Sequence, residues 1–232
     1  MAKLYIVPTP IGNLEDMTFR AVRILKEVDY ILAEDTRTSS ILLKHYNIEA
    51  KLYSHHKFNE HKAVKHIAER IASGESFALI SDAGTPSISD PGYLLVSTCI
   101  KIGVEVECLP GATAFVPALV NSGFPSDRFC FEGFLPQKKG RNKRLEKLKD
   151  EERTIIFYES PFRLLKTLKD LYNIYKNGRN ACVCRELTKI HEENIRGNLE
   201  SLIAYFESRN VKGEIVIIIE AKTKNKEIEN EL

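Results

Sequence analysis

The chain has 232 residues, 43% of them hydrophobic and 28% charged, which allows a real core in one large domain or two compact ones of about 100–150 residues. A formal net charge of +2 excludes a uniformly polyanionic or polycationic chain, and no apolar run approaches the roughly 20 residues a membrane span requires. The start, "MAKLYIVPTP", lacks a basic region followed by a long apolar core, so a soluble cytoplasmic protein is expected.

In chain order, "KLYIVP" predicts a strand, "TFRAVRILKEV" a helix with Phe19, Val22, Ile24 and Leu25 turned inward, and "YILAE" the next strand. "TSSILLKHY" and "EHKAVKHIAERIA" predict helices, "SFALIS" a central strand, "YLLVSTCIKIG" a helix closed by Gly103, and "VEVECLP" another strand. This alternation predicts a mostly parallel sheet covered on both faces. After "PGATAFVPALVNSG" the rhythm changes. "RFCFEGFL", "RTIIFYES", "ACVCREL" and "EIVIIIEA" predict strands; the basic run after Gln137, "PFRLLKTLKDLY" and "LESLIAYFES" predict helices. The domain boundary is expected near Asn121–Ser126, giving domains 1–121 and 122–222 and a charged tail at 223–232 with no usable apolar face.

The charge is local. Residues 1–115 carry 12 Lys/Arg and 14 Asp/Glu, residues 116–232 carry 22 and 18, and "KKGRNKRLEKLKD" alone carries +5. Lys138, Lys139, Arg141, Lys143 and Arg144 form either a solvated helix face or a phosphate-binding surface. The five cysteines are scattered in apolar stretches, as buried thiols are in a reducing compartment. Cys182 and Cys184 share a strand face without a second pair to complete a metal site.

Three Gly/Pro-rich segments, "PTPIGN", "SDAGTPSISDPG" and "PGATA", follow predicted strands. Ligands bind at the carboxyl ends of strands in open α/β sheets, and glycines let a ligand approach the main chain closely. No dinucleotide fingerprint, P-loop, zinc-hydrolase or serine-esterase motif is present. Glu34, Asp35, Asp82 and Asp90 offer carboxylates for Mg²⁺, but Mg²⁺ usually serves phosphates, and no metal is expected.

"LYIVPTPIGNLEDMTFRAVRILKEVDYILAEDTR", "SDAGTPSISDPGY", "LPGATA", "SDRFCFEGFLP", "FYESPFRL", "RELTK" and "KGEIVIIIE" resemble, in this order, the bacterial 16S ribosomal RNA ribose 2′-O-methyltransferases of the tetrapyrrole methylase superfamily, from Leu4 to about Glu220. The resemblance implies a two-domain α/β fold, with a mostly parallel sheet in the N-terminal domain and a mixed sheet in the C-terminal domain. It further implies a homodimer, and S-adenosylmethionine folded into the cleft between the domains. The expected substrate is a ribose of 16S ribosomal RNA in the small subunit, that of a cytidine in the decoding region. The superfamily also contains precorrin, uroporphyrinogen and diphthine enzymes, so a small-molecule methyltransferase and a non-catalytic ribosome-associated RNA-binding factor are the alternatives.

Carried over by position, Pro10, Ile11, Ser81, Asp82, Ala83, Gly84, Ala112 and Thr113, with Tyr158, Leu187, Thr188 and Ile215, are the expected cofactor contacts. Core packing is the competing reading for Tyr158, Leu187 and Ile215. Deprotonation of a ribose hydroxyl calls for a carboxylate, a depressed Lys or a His, for which Glu34, Asp35, Glu159, Glu186 and Lys189 are candidates and His55 and His56 outsiders. The first choice is Asp35 as base with Arg37 holding a phosphate; the alternative is Asp35 or Thr36 as a helix cap. "HHKFNEHK" reads either as RNA contacts or as a polar helix start.

Overall fold

In the computed structural model, which describes residues 2–176 and 178–222, the first sheet grows from three short apolar runs, β1 (Leu4–Ile6), β2 (Tyr30–Ala33) and β4 (Phe77–Leu79). With β3 (Lys51–Ser54) and β5 (Val106–Cys108) they form the order β3-β2-β4-β1-β5, every pairing parallel. Successive side chains point to opposite faces. Ile31, Ala33 and Ala78 therefore enter one apolar cluster with α1 (Phe19–Glu27) and α2 (Thr36–His45), while Leu32, Phe77 and Leu79 enter another with α3 (Glu60–Ala72) and α4 (Tyr93–Lys101). Burying each such Leu, Ile or Phe contributes about 1.5–3 kcal/mol before conformational entropy is counted.

Two expectations are corrected here. Thr18 caps α1, its Oγ1 accepting from the Ala21 N–H at 3.1 Å, and the buried stripe is Ala21, Ile24 and Leu25. Phe19, expected inside, is 98% exposed, because it lies about 200° round the helix from Ala21. β3 was not anticipated: "KLYS" is a mostly exposed edge strand without an apolar run to announce it.

The second sheet contains β6 (Phe129–Phe134), β7 (Thr154–Glu159), β8 (Asn180–Arg185), β9 (Glu193–Asn198) and β10 (Ile215–Ile219), in the order β6-β7-β10-β8-β9. Only the β6–β7 pairing is parallel, so the sheet is mixed. Central β10, "IVIII", is buried along its whole length. One face packs on α6 (Arg141–Leu148), α7 (Leu164–Tyr175) and α8 (Leu199–Glu207). α5 (Phe115–Ser122) packs against β10, β8, β7 and β9, with Cys184 Sγ donating to the Ala118 carbonyl at 3.7 Å. The chain accordingly divides into the compact units Met1–Thr113 and Ala114–Leu232. The division lies before α5, whereas the boundary expected near Asn121–Ser126 lies at the end of that helix; α5 packs on the second sheet. The polar strand β9, "ENIRGN", was also not anticipated, and the tail expected at 223–232 lies outside the described residues.

Candidate active site

β4, β1 and β5 are neighbours in a parallel sheet, so the loops that follow them leave from one edge. Main-chain bonds join them there. Thr9 and Gly84 exchange two N–H···O bonds of 2.9 Å, and Thr9 Oγ1 donates to the Ser81 carbonyl at 2.9 Å. Thr85 Oγ1 donates to the Ala112 carbonyl at 3.0 Å. Gly84 has φ +82°, and a Cβ there would meet Ile11 Cγ2 at 3.4 Å, Ala112 O at 3.8 Å and Thr113 Cα at 4.0 Å. The structure thus brings together Pro10, Ile11, Ser81, Asp82, Ala83, Gly84, Ala112 and Thr113. Pro10, Ser81 and Gly84 are buried, whereas Asp82 and Ala83 are exposed on the loop.

The carboxylates of this edge differ in their surroundings. Asp35 caps α2 and is held by Arg37 three times: Oδ1 accepts from the Arg37 N–H at 2.9 Å and from Nε at 3.1 Å, and Oδ2 accepts from Nη2 at 2.7 Å. The Arg37 guanidinium pulls the Asp35 carboxyl down to about 2. So anionic a carboxylate takes up a proton poorly. Burial and the neighbouring Asp90 and Asp82 raise Glu34 instead. Asp90, considered from sequence only as a metal carboxylate, is raised by burial and by Asp82. Asp82 Oδ1 accepts from the Asp35 N–H at 3.2 Å and so ties the loop after β4 to the loop after β2. His55 is buried; its Nε2 stands 3.8 Å from Glu60 Oε1, and burial lowers its pKa. Glu60 Oε1 accepts from the Gly92 N–H at 2.9 Å, anchoring the far end of the glycine-rich loop.

In the second unit β7 and β8 run parallel to one another, both antiparallel to β10. Their carboxyl ends and the start of β10 therefore share an edge, which gathers Tyr158, Leu187, Thr188 and Ile215. Tyr158 meets Phe131 and Phe134 edge to face, with centroids 5.0 and 5.6 Å apart. Ile215 belongs to the apolar core, and Leu187 is buried. The turn after β8 is strained: Glu186 has φ +52° and Thr188 φ +66°, a conformation L-residues avoid. Glu186 Oε1 accepts from Lys189 Nζ at 2.8 Å and from the Glu214 N–H at 3.0 Å, and Glu214 also pairs with Lys189. Although burial alone would lower Lys189, its bonds to Glu186 and Glu214 raise it overall. Lys189 is therefore an ammonium that fixes a turn and not the neutral amine a base requires. Glu159 is likewise engaged, accepting from Ser160 N–H at 2.7 Å and Thr167 Oγ1 at 2.5 Å and forming an ion pair with Arg163 at 2.9 Å.

The basic run divides. Lys138, Lys139 and Lys143 are exposed, and Arg144 pairs with Glu132 at 2.5 Å. Arg141 is buried, with Nε on Asp170 at 2.9 Å, Nη2 on Thr167 Oγ1 at 2.8 Å and Nη1 on the Pro136 carbonyl at 3.4 Å. Expected on RNA, it is an internal brace between α6 and α7. Sequence alone assigns five cations to one surface; packing removes this one, because every third or fourth residue of α6 faces the core.

The family Tetrapyrrole (Corrin/Porphyrin) Methylases matches residues 3–203. The chain belongs to this family. Among the curated relatives of this tetrapyrrole methylase family member is "Ribosomal RNA small subunit methyltransferase I" of Thermotoga maritima, 48% identical over 96% of this chain and 100% of that protein. The protein of the same name from Halalkalibacterium halodurans is 51% identical over 94% of this chain and 75% of its own length. Among solved structures, a diphthine synthase superposes with a TM-score of 0.74 at 13% identity, covering 95% of this chain and 90% of that one; it shares the fold. The residues sequence reasoning missed, Thr9, Thr85 and Glu60, are ordinary polar types whose only signal is proximity to the glycine-rich segments.

Proposed function

We propose that the chain transfers a methyl group from S-adenosylmethionine to the 2′-hydroxyl of a ribose in 16S ribosomal RNA, that of a cytidine in the decoding region, within the small ribosomal subunit. The observation that carries this reading is the likeness, at 48% identity, to a relative named as a small-subunit ribosomal RNA methyltransferase whose whole length is covered. A cytoplasmic location and a homodimer belong to the same proposal. Among the described residues no helix is long and apolar enough to cross a membrane.

S-adenosylmethionine supplies a methyl group made electrophilic by its sulfonium. The first unit's loops suit such a ligand, since they are joined to one another largely through main chain and small hydroxyls at Thr9, Gly84, Thr85 and Ala112. Pro10, Ile11, Ser81, Asp82, Ala83, Gly84, Ala112 and Thr113 hold it, with Tyr158, Leu187, Thr188 and Ile215 as further contacts. Glu34, whose raised pKa brings it nearer to the ideal for proton transfer at neutral pH, takes the hydroxyl proton. Arg37, its side chain 89% exposed and aimed by Asp35, keeps N–H groups for a phosphate. Lys138, Lys139, Lys143 and Arg144 attract the RNA backbone without reading bases. Exclusion of water and alignment of the acceptor contribute the rest of the acceleration.

The test incubates the purified protein with methyl-labelled S-adenosylmethionine and small subunits lacking the modification, then maps the labelled nucleotide. Label on a ribose of 16S RNA is expected; its absence, with cofactor binding intact by calorimetry, overturns the RNA assignment.

A further inference from the structure

The segment "HHKFNEHK" is not absorbed by the methyl-transfer reading. At its centre Phe58 is 80% exposed and belongs to none of the apolar clusters. A polar helix start explains Asn59 and Glu60. It does not explain a phenyl ring held out in water.

The ring sits on a braced loop. Asn59 Oδ1 accepts from the His56 N–H at 2.8 Å, Asn59 Nδ2 donates to the Ser54 carbonyl at 2.9 Å, and His56 Nδ1 accepts from the Phe58 N–H at 3.3 Å. The His56 ring meets Phe58 nearly edge-on, centroids 5.8 Å apart, and Lys57 Nζ stands 5.0 Å from the Phe58 centroid. The loop is rooted at the carboxyl edge of the first sheet, where the His55 N–H donates to the Ala33 carbonyl at 2.8 Å. Ala33 immediately precedes Glu34, and the charges of Lys57 and His56 both act on the Glu34 carboxyl.

From this we propose that Phe58 is a stacking platform for an unpaired base of the RNA substrate, with Lys57 meeting the adjoining phosphate; the proposal rests on the RNA-methylation reading and names how the strand is held beside the acceptor. Every base presents a π-face, so an aromatic ring binds single-stranded RNA without sequence preference. A ring already oriented by its neighbours loses little freedom when a base covers it. The flanking Lys57, together with exposed Lys62 on α3, supplies the charge that favours a polyanion over an apolar protein surface.

The experiment uses the full chain, comparing wild type with Phe58→Ala, Phe58→Trp and Lys57→Ala. Methylation kinetics on small subunits are measured beside fluorescence anisotropy with an unstructured oligoribonucleotide. Phe58→Ala is expected to raise both KM for the subunits and Kd for the oligonucleotide about tenfold, with kcat, cofactor affinity and Tm close to wild type. Phe58→Trp restores binding. Phe58→Ala keeps the salt dependence of binding, whereas Lys57→Ala lowers the log–log slope by about 1. Unchanged KM and Kd in Phe58→Ala overturn the platform, as does a shift in sedimentation coefficient of that variant without RNA, which would make the ring a contact between two copies of the chain. If wild type leaves the subunits unmethylated, the functional reading fails; the anisotropy comparison still decides whether Phe58 stacks on RNA.

Discussion

At the carboxyl edge of the first sheet, the loops after β1, β4 and β5 are joined by main chain and small hydroxyls: the Thr9–Gly84 exchange, Thr9 to Ser81, Thr85 to Ala112. At the corresponding edge of the second sheet, the turn after β8 is held in a left-handed conformation by charge, through Glu186, Lys189 and Glu214. The first arrangement is made of backbone and small side chains, with Gly84 at φ +82° in a conformation other residues rarely adopt. The second stores strain that a three-charge cluster must offset, and so it is sensitive to pH and to loss of a single side chain. Gly213 shows the coupling, since a Cβ there would collide with the Glu186 carboxyl.

The largest expected effect comes from breaking the backbone-built edge. Gly84→Val forces a β-branched residue into φ +82° with its Cβ 3.4 Å from Ile11. Cofactor binding by calorimetry is expected to fall beyond detection while far-UV circular dichroism keeps its folded signature. Retained affinity would remove this loop from the cofactor site.

Within the same edge, Glu34 and Asp35 are adjacent carboxylates with opposite surroundings. Glu34→Gln is expected to lower the methylation rate by about 10²-fold or more without weakening cofactor binding. Because a base must be deprotonated and burial raises Glu34, the wild-type rate should fall on acidification at a higher pH than an ordinary carboxylate dictates. Asp35→Ala should instead lower Tm through the lost cap, with a smaller effect on rate. If Asp35→Ala is the slower enzyme, the roles are reversed.

A smaller effect separates the cations of the second unit. Neutralising Lys138, Lys139 and Lys143 together should raise KM for small subunits and flatten the log–log salt dependence of binding by roughly 2–3. Arg141→Ala should leave that slope alone and lower Tm, because it removes the bonds from α6 to Asp170 and Thr167. Equal slopes in wild type and the triple variant would make the run a solvated surface.

The smallest effect tests the charge-built edge. Hydrogen bonding from Glu214, whose N–H donates to it, and the Lys189 ammonium hold Glu186 down at about 2. A depressed acid contributes stability that is present above its unfolded value of about 4.3 and is lost as pH falls toward the folded value. Glu186→Gln should therefore flatten acid unfolding between about pH 4.3 and pH 2, read by circular dichroism, and leave stability near pH 7 lower than wild type. An unchanged acid transition would mean that the turn is held by packing alone.

The amino-acid sequence by itself determined the alternation of apolar runs and helices, the glycine- and proline-rich strand ends and the family they resemble. Those features are local: residue type and spacing decide which face is buried and where the chain turns. It also placed candidate carboxylates, Glu34 and Asp35, directly after β2. What separates their surroundings is in part local, since Arg37 lies two residues beyond Asp35, and in part tertiary, since burial and Asp90 and Asp82 from the loop after β4 raise Glu34. Tertiary contact also decides Arg141, whose charge looks outward in "GRNKR" until α7 brings Asp170 and Thr167 against it. Polar edge strands such as β3 and β9 carry too little apolar pattern to be read in isolation; a neighbouring strand's hydrogen bonds make them. Burial and charge pairing join residues far apart in the chain, and for that reason the fold was legible in advance while the division of labour within the candidate site was not.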